Sequence, residues 1–273
     1  MKKILIPTDY SDTSMNAACY AIKLAKQLNA KAILFHAFHI PIVPSETPVI
    51  IVTYDELEKD NIESMKSFEL KLRAKVKEEN EIKFIVRPGF VTDVIQDIVE
   101  EENIDLIVMG ITGTSKLNQV LIGSNTNAVM KNIDCPTLAI PNNSNFKTIQ
   151  NIAFACDLEK TKNSTFEQLK TIVGLFKAKL SVINVVDPST KPNNKEAFSG
   201  LNIERILQDL DHTLYFTEES DVIFAINEFI DKHSIDLLIM LPRKHSFIGS
   251  LFHKSNTKQM AFHSHIPLLA IHE

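Results

Sequence analysis

Three segments of this chain recur at a single spacing. Ile104-Asp-Leu-Ile-Val-Met109 returns as Ile235-Asp-Leu-Leu-Ile-Met240, Ser124-Asn-Thr126 as Ser255-Asn-Thr257, and Pro136-Thr-Leu-Ala-Ile140 as Pro267-Leu-Leu-Ala-Ile271, each 131 positions later. A gapless register of that length marks an internal duplication. Earlier segments echo too: Lys3-Ile-Leu-Ile-Pro-Thr-Asp9 resembles Asn151-Ile-Ala-Phe-Ala-Cys-Asp157, and Lys31-Ala-Ile-Leu-Phe-His36 resembles Leu180-Ser-Val-Ile-Asn-Val185. Each copy is therefore a small domain rather than a solenoid repeat, and 273 residues leave room for two domains of about 100–150 residues. The polar stretch Pro141-Asn-Asn-Ser-Asn145 breaks both helical and strand periodicity, which predicts domains over 1–142 and 149–273.

Within the first copy, strand-like and helix-like segments alternate. Lys3 to Pro7, Ala32 to Phe35, Lys83 to Val86, Asp105 to Met109 and Thr137 to Ile140 are short apolar runs. Between them, Ala18, Ala21, Ile22, Ala25 and Leu28 recur at helical spacing, as do Met65, Phe68, Leu72 and Val76 after the capping-box pattern Thr53-Tyr-Asp-Glu56. Val91, Val94, Ile95 and Ile98 predict a third helix, and Ser124 to Lys131 a fourth. Continuous apolar strands alternating with helices predict an α/β fold, a parallel sheet covered by helices on both faces.

Composition excludes several classes. A formal charge of −5 offers no basic face for nucleic acid. No run approaches the roughly 18 apolar residues of a membrane span, and the apolar start Ile4-Leu-Ile6 breaks at Pro7, too early for a secretory signal. Cys19, Cys135 and Cys156 are odd in number and widely spaced, which argues against a disulfide framework and for a cytoplasmic location.

The chemistry concentrates downstream of Met109. Gly110-Ile-Thr-Gly113 is followed by Gly123-Ser124, a glycine-punctuated loop between a buried strand and a helix start. Glycines at 110, 113 and 123 permit positive φ and close backbone approach to a ligand, and Ser124 is expected to be the helix N-cap beside free N–H groups that meet anionic oxygens. Asp9 lies just past the first strand, which neighbours the fourth in a doubly wound sheet, so both loops face one crevice at the carboxyl edge. Its carboxylate suits a ribose hydroxyl or a divalent cation bridging phosphates. A P-loop needs Lys-Ser/Thr directly after a glycine and is excluded, because Gly113 is followed by Thr114 and Gly123 by Ser124; GxGxxG is also absent.

Gly110-x2-Gly113-x9-Gly123-Ser124 resembles the ATP-binding signature of the universal stress protein family, as do Pro7-Thr8-Asp9 and His36-Ala37 at the ends of the first two strands. The resemblance covers both halves of the chain. It implies two five-stranded parallel sheets of strand order 3-2-1-4-5, with ATP at the carboxyl edge accompanied by Mg2+ or Mn2+. It assigns Asp9, with Pro7 and Thr8 beside it, to the ribose or metal, and the backbone near Ala37 and Met109 to the adenine. Gly110, Gly113, Gly123, Ser124 and Asn125 would hold the phosphates. Phe38 to Thr53 is a variable region in such proteins and carries no assigned role. In single-domain relatives the last strand pairs domains into dimers, so Thr137 to Ile140 and Leu268 to Ile271 are expected to make that pairing within one chain as a pseudo-twofold, with whole-chain homodimerisation left open.

The second copy departs from the pattern. Leu241, Lys244 and Lys254 replace the three glycines while Asp157 and Ser255 remain, so one nucleotide site is expected, in the first copy. The reading is a nucleotide-binding regulatory protein in a stress response, with no catalytic residue and at most weak ATPase activity. Two rivals are a slow metal-dependent ATP hydrolase using Asp9, and a scaffold whose second copy binds another small ligand or a metal through His245, His253, His263 and His265.

Overall fold

The computed structural model of the chain describes residues 1–40, 53–77, 81–111, 113–114, 119–120, 123–142, 144–158, 160–186, 202–242 and 266–273. Two units emerge, the first built from Met1–Ile111 with Gly123–Asn142 and the second from Thr112–Ile122 with Asn143–Glu273. The first runs β1 (Lys3–Pro7), α1 (Asp12–Leu28), β2 (Lys31–Phe38), α2 (Tyr54–Val76), β3 (Ile82–Pro88), α3 (Val91–Glu102), β4 (Leu106–Ile111), α4 (Ser124–Asn132) and β7 (Thr137–Pro141). Between β4 and α4, β5 (Gly113–Thr114) and β6 (Gln119–Val120) form a separate antiparallel ribbon, Gly113 opposite Val120. The second unit runs β8 (Asn151–Ala155), α5 (Asn163–Phe176), β9 (Lys179–Val186), α6 (202–207), β10 (His212–Glu218), α7 (Val222–Lys232), β11 (Leu237–Met240) and β12 (Leu268–Ala270).

Within the first unit the strand order is β7-β4-β1-β2-β3 and within the second β10-β9-β8-β11-β12, every pairing within each parallel. Counted in chain order within its own unit, each is 3-2-1-4-5. The apolar runs become central strands because helices cover both faces: residues 4–7 of β1 and all of β7 and β8 after its first residue are buried. In the first unit, one face buries Leu5, Ile33, Phe35, Ile107 and Met109 against Val94, Ile95 and Ile98 of α3 and Val129 of α4.

Local signals act where the residues place them. Thr53 and Glu56 form a reciprocal capping box, and Met65, Phe68, Leu72 and Val76 make the buried stripe of α2. Ser11 caps α1, and Asn29 in the left-handed region ends it. Lys177 ends α5 in the same conformation, and Asn103 and Ser234 repeat that device after the third helix of each unit.

The repeated Asp of the Ile-Asp-Leu motif has the same task in both units. Asp105 Oδ2 accepts the backbone N–H groups of Lys2 at 2.7 Å and Lys3 at 3.0 Å. Asp236 Oδ2 accepts those of Gln150 at 2.9 Å and Asn151 at 3.0 Å. Each carboxylate thus anchors the start of its unit's first strand to the start of its fourth. The acidic run Glu100-Glu-Glu102 is more than a solvated helix end: Glu101 takes both terminal nitrogens of Arg87 on β3, and Glu102 pairs with Lys3 on β1.

Candidate functional site

In the first unit the carboxyl ends of the adjacent strands β2, β1 and β4 bring the predicted residues to one edge. Pro7 ends β1 and is buried beside Phe35. Thr8 is buried, and its hydroxyl is spent within the turn, shared with Ser14 Oγ at 2.9 Å and accepting the N–H of Tyr10 at 3.0 Å. Asp9 is exposed beyond it. Its Oδ1 accepts both the N–H and the hydroxyl of Ser11, at 3.1 and 2.5 Å. Partial burial pushes its pKa upward, but the Ser11 hydrogen bonds outweigh that and hold it below the usual carboxylate value. Asp9 is therefore ionised at neutral pH, and both Ser11 hydrogen bonds fall on Oδ1.

Tyr10, which the residue pattern did not single out, is the keystone of this turn. Its backbone sits at φ 64°, a left-handed conformation that costs a non-glycine residue roughly 1–2 kcal/mol. The ring lies 4.3 Å from that of His36 and 5.7 Å from that of Phe68, and its hydroxyl donates to the Asn61 carbonyl on α2. Burial pushes the phenol up to about 12. His36 Nδ1 donates to the Thr8 carbonyl at 2.8 Å, tying β2 to the same turn. Ala37, next along β2, is half-buried and paired with Arg87.

On the other side of β1, Met109 and Gly110 lie inside β4, beside Ala139 and Ile140 of β7. The strand thus continues through Gly110 to Ile111 instead of opening into a loop after Met109. Gly110 also has no positive φ; among the described glycines only Gly89 does. What requires glycine at 110 is the N-terminus of α1: an added Cβ would meet Thr13 Cγ2 at 2.6 Å and the Thr13 carbonyl oxygen at 2.9 Å. The Gly110 carbonyl accepts the hydroxyl of Thr126, buried in the first turn of α4.

That turn revises a second expectation. Gly123, at φ −57° and ψ 151°, is the N-cap of α4, and Ser124 is the first helical residue. No side-chain hydrogen bond caps the helix. Ser124 and Asn125 are both exposed. Gly113 lies on the β5–β6 ribbon, where only backbone pairing is described. The edge therefore combines an ionised Asp9, the N-terminus of α1 and an N-terminus of α4 that no side chain closes, an arrangement suited to a polar group at one end and anionic oxygens at the other.

The second unit uses the same frame differently. Asp157, at the place of Asp9, is paired with Lys160 at 2.6 Å. The ladders shift the expected match of the second strands by one residue, with Lys179 rather than Leu180 at the place of Lys31, so Asn184 stands in place of His36 and accepts the N–H of Leu158. The helix α5 starts later than α1 relative to that Asp, and its N-terminal Lys162 N–H and Thr165 hydroxyl both reach Glu273 Oε1. Leu241 occupies the Gly110 position and is 3% exposed. Lys244, Lys254, His245, His253, His263 and His265 lie outside the described residues.

A model of the universal stress protein family matches residues 1–141. The chain belongs to that family. Universal stress protein MJ0531 of Methanocaldococcus jannaschii is 34% identical over 144 residues, which cover 51% of this chain and 81% of that one. Universal stress protein Slr1230 of Synechocystis is 25% identical over an alignment covering 98% of this chain and 99% of the other, so the family resemblance extends over both halves. A universal stress protein from Archaeoglobus fulgidus superposes with a TM-score of 0.73 over 99% of this chain and 98% of its own, at 15% identity, which carries the fold alone. Cys19, Cys135 and Cys156 of this universal stress protein form no disulfide, and no helix among the described residues is long and apolar enough to cross a membrane.

Proposed function

We propose that the first unit binds ATP and that occupancy, rather than turnover, is its output, in a regulatory role within a stress response. The observation that carries this reading is the placement of Asp9, Gly110 and the start of α4 at the ends of three neighbouring elements of one sheet edge. Asp9 Oδ2 is oriented by the Ser11 bonds on its sister oxygen and suits a ribose hydroxyl. The backbone amides at Ser124 and Asn125 suit phosphate oxygens, because Gly123 leaves the turn without a side-chain cap. The backbone beside Ala37 and Met109 would flank the base. No group of three or more His, Cys, Asp or Glu side chains among the described residues is arranged to hold an ion, so Mg2+ or Mn2+ would enter with the triphosphate and meet the protein through Asp9.

No described side chain is placed to activate a water for attack, and no P-loop lysine is present, which favours retention over hydrolysis. The test is Gly113→Val, with mass spectrometry of the ligand that co-purifies and calorimetric titration with ATP. Loss of nucleotide retention with an unchanged circular dichroism spectrum is expected. Retention equal to that of the parent protein would sink the assignment. Appreciable turnover that disappears in Asp9→Ala would favour a slow metal-dependent hydrolase instead.

A further inference from the structure

We propose that β10 is a self-complementary edge through which two copies of this chain associate, antiparallel and centred on Tyr215. β10 is the outermost strand of its sheet and is bonded only to β9 among the described residues. The parallel ladder fixes which groups point outward. The Asp211 carbonyl and the Glu219 N–H both bond to β9, so alternate residues 211, 213, 215, 217 and 219 face inward. His212, Leu214, Phe216 and Glu218 therefore turn their N–H and C=O groups to the outer edge.

The sequence His212-Thr-Leu-Tyr-Phe-Thr-Glu218 is close to a chemical palindrome. An antiparallel pairing about Tyr215 sets Tyr215 opposite Tyr215, Leu214 opposite Phe216, Thr213 opposite Thr217 and His212 opposite Glu218. Aromatic, aromatic–aliphatic and Thr–Thr pairs are those that stabilise neighbouring strands. No like charges meet, and His212 is already held by Glu204 at 3.0 Å and by the Leu210 carbonyl. The register also satisfies the backbone. Leu214 with Phe216, and His212 with Glu218, have outward groups and form the hydrogen-bonded pairs, while Tyr215 on the dyad forms a non-hydrogen-bonded one. A twofold interface demands that kind of self-match.

The corresponding strand of the first unit shows the contrast. β3 carries Lys83, Arg87 and Pro88, the devices that keep an edge from pairing. β10 has no lysine, no arginine and no proline, and exposes Phe216 at 53%. A seven-residue ribbon is a small interface, so association is expected to be weak and concentration-dependent.

Sedimentation velocity of the full chain at increasing concentration tests the proposal. The parent protein should move from monomer to dimer, and Phe216→Pro should remain monomeric throughout. That proline deletes an outward donor and leaves the bonds to β9 intact. If Phe216→Pro fails to fold, a Thr213→Cys/Thr217→Cys variant decides. Those positions are about 13 Å apart within one strand, too far to bridge, but about 4.5 Å apart across the proposed pair. Oxidation should give a covalent dimer that the parent does not form. A parent that stays monomeric at every concentration overturns the proposal, as does a Phe216→Pro dimer or the absence of the cross-link.

Discussion

Gly110 illustrates how one residue type answers to two different demands. A glycine near a nucleotide suggests backbone approach to the ligand, yet its nearest constraint is internal, Thr13 at the start of α1. The Thr13 Cγ2 can rotate away, but its backbone carbonyl at 2.9 Å cannot. Gly110→Ala should therefore destabilise the first unit by about 1–3 kcal/mol, the usual range for overpacking. Leu241, at the same place in the second unit, is the reciprocal case: it is buried, and Leu241→Ala should cost about 2–5 kcal/mol through the cavity it leaves. Differential scanning calorimetry of both variants checks the pair. If Gly110→Ala unfolds with the parent protein, the steric account is wrong and the glycine serves the ligand alone.

At the scale of elements, Asp105 and Asp236 join the first and fourth strands of their units through paired backbone acceptors. Asp105→Ala should weaken the first unit by about 1–2 kcal/mol, and Asp236→Ala the second by a similar amount, since each leaves two strand-start amides to find water. Hydrogen exchange should show the loss confined to β1 and β4 in one variant, and to β8 and β11 in the other. Uniform loss across both units would contradict the role. The motif itself was legible, because Ile-Asp-Leu recurs at constant spacing, but the task of the Asp was not: its partners lie about a hundred residues away in sequence. The same divide separates what residue patterns show of the site from what they do not. Strand and helix order, the capping box on α2 and the glycine-bearing edge follow from local periodicity and turn chemistry. The continuation of β4 through Gly110, the cap at Gly123 rather than Ser124, and the left-handed Tyr10 depend on contacts between elements, which no local window contains.

At the scale of the molecule, the two copies kept one frame but not one set of edge groups. The two sheets share strand order, strand-start anchors and left-handed helix ends, while the groups at the carboxyl edge diverge. In the first unit the Asp9 carboxylate is held by neutral hydroxyl and amide donors, with no cation paired to it among the described residues. In the second, Lys160 neutralises Asp157 and Glu273 already occupies the start of α5 with a negative charge that would repel a phosphate. Calorimetric titration of the full chain should therefore saturate at one ATP per chain. Nucleotide at about a hundred times its dissociation constant should stabilise the first unit by about 2.7 kcal/mol. Hydrogen exchange should then slow across Asp9–Thr13 and the first turn of α4, with no change around Asp157 and the start of α5. Binding of two equivalents, or protection at both edges, would mean that the second unit retains a nucleotide site despite Leu241, Lys160 and Glu273.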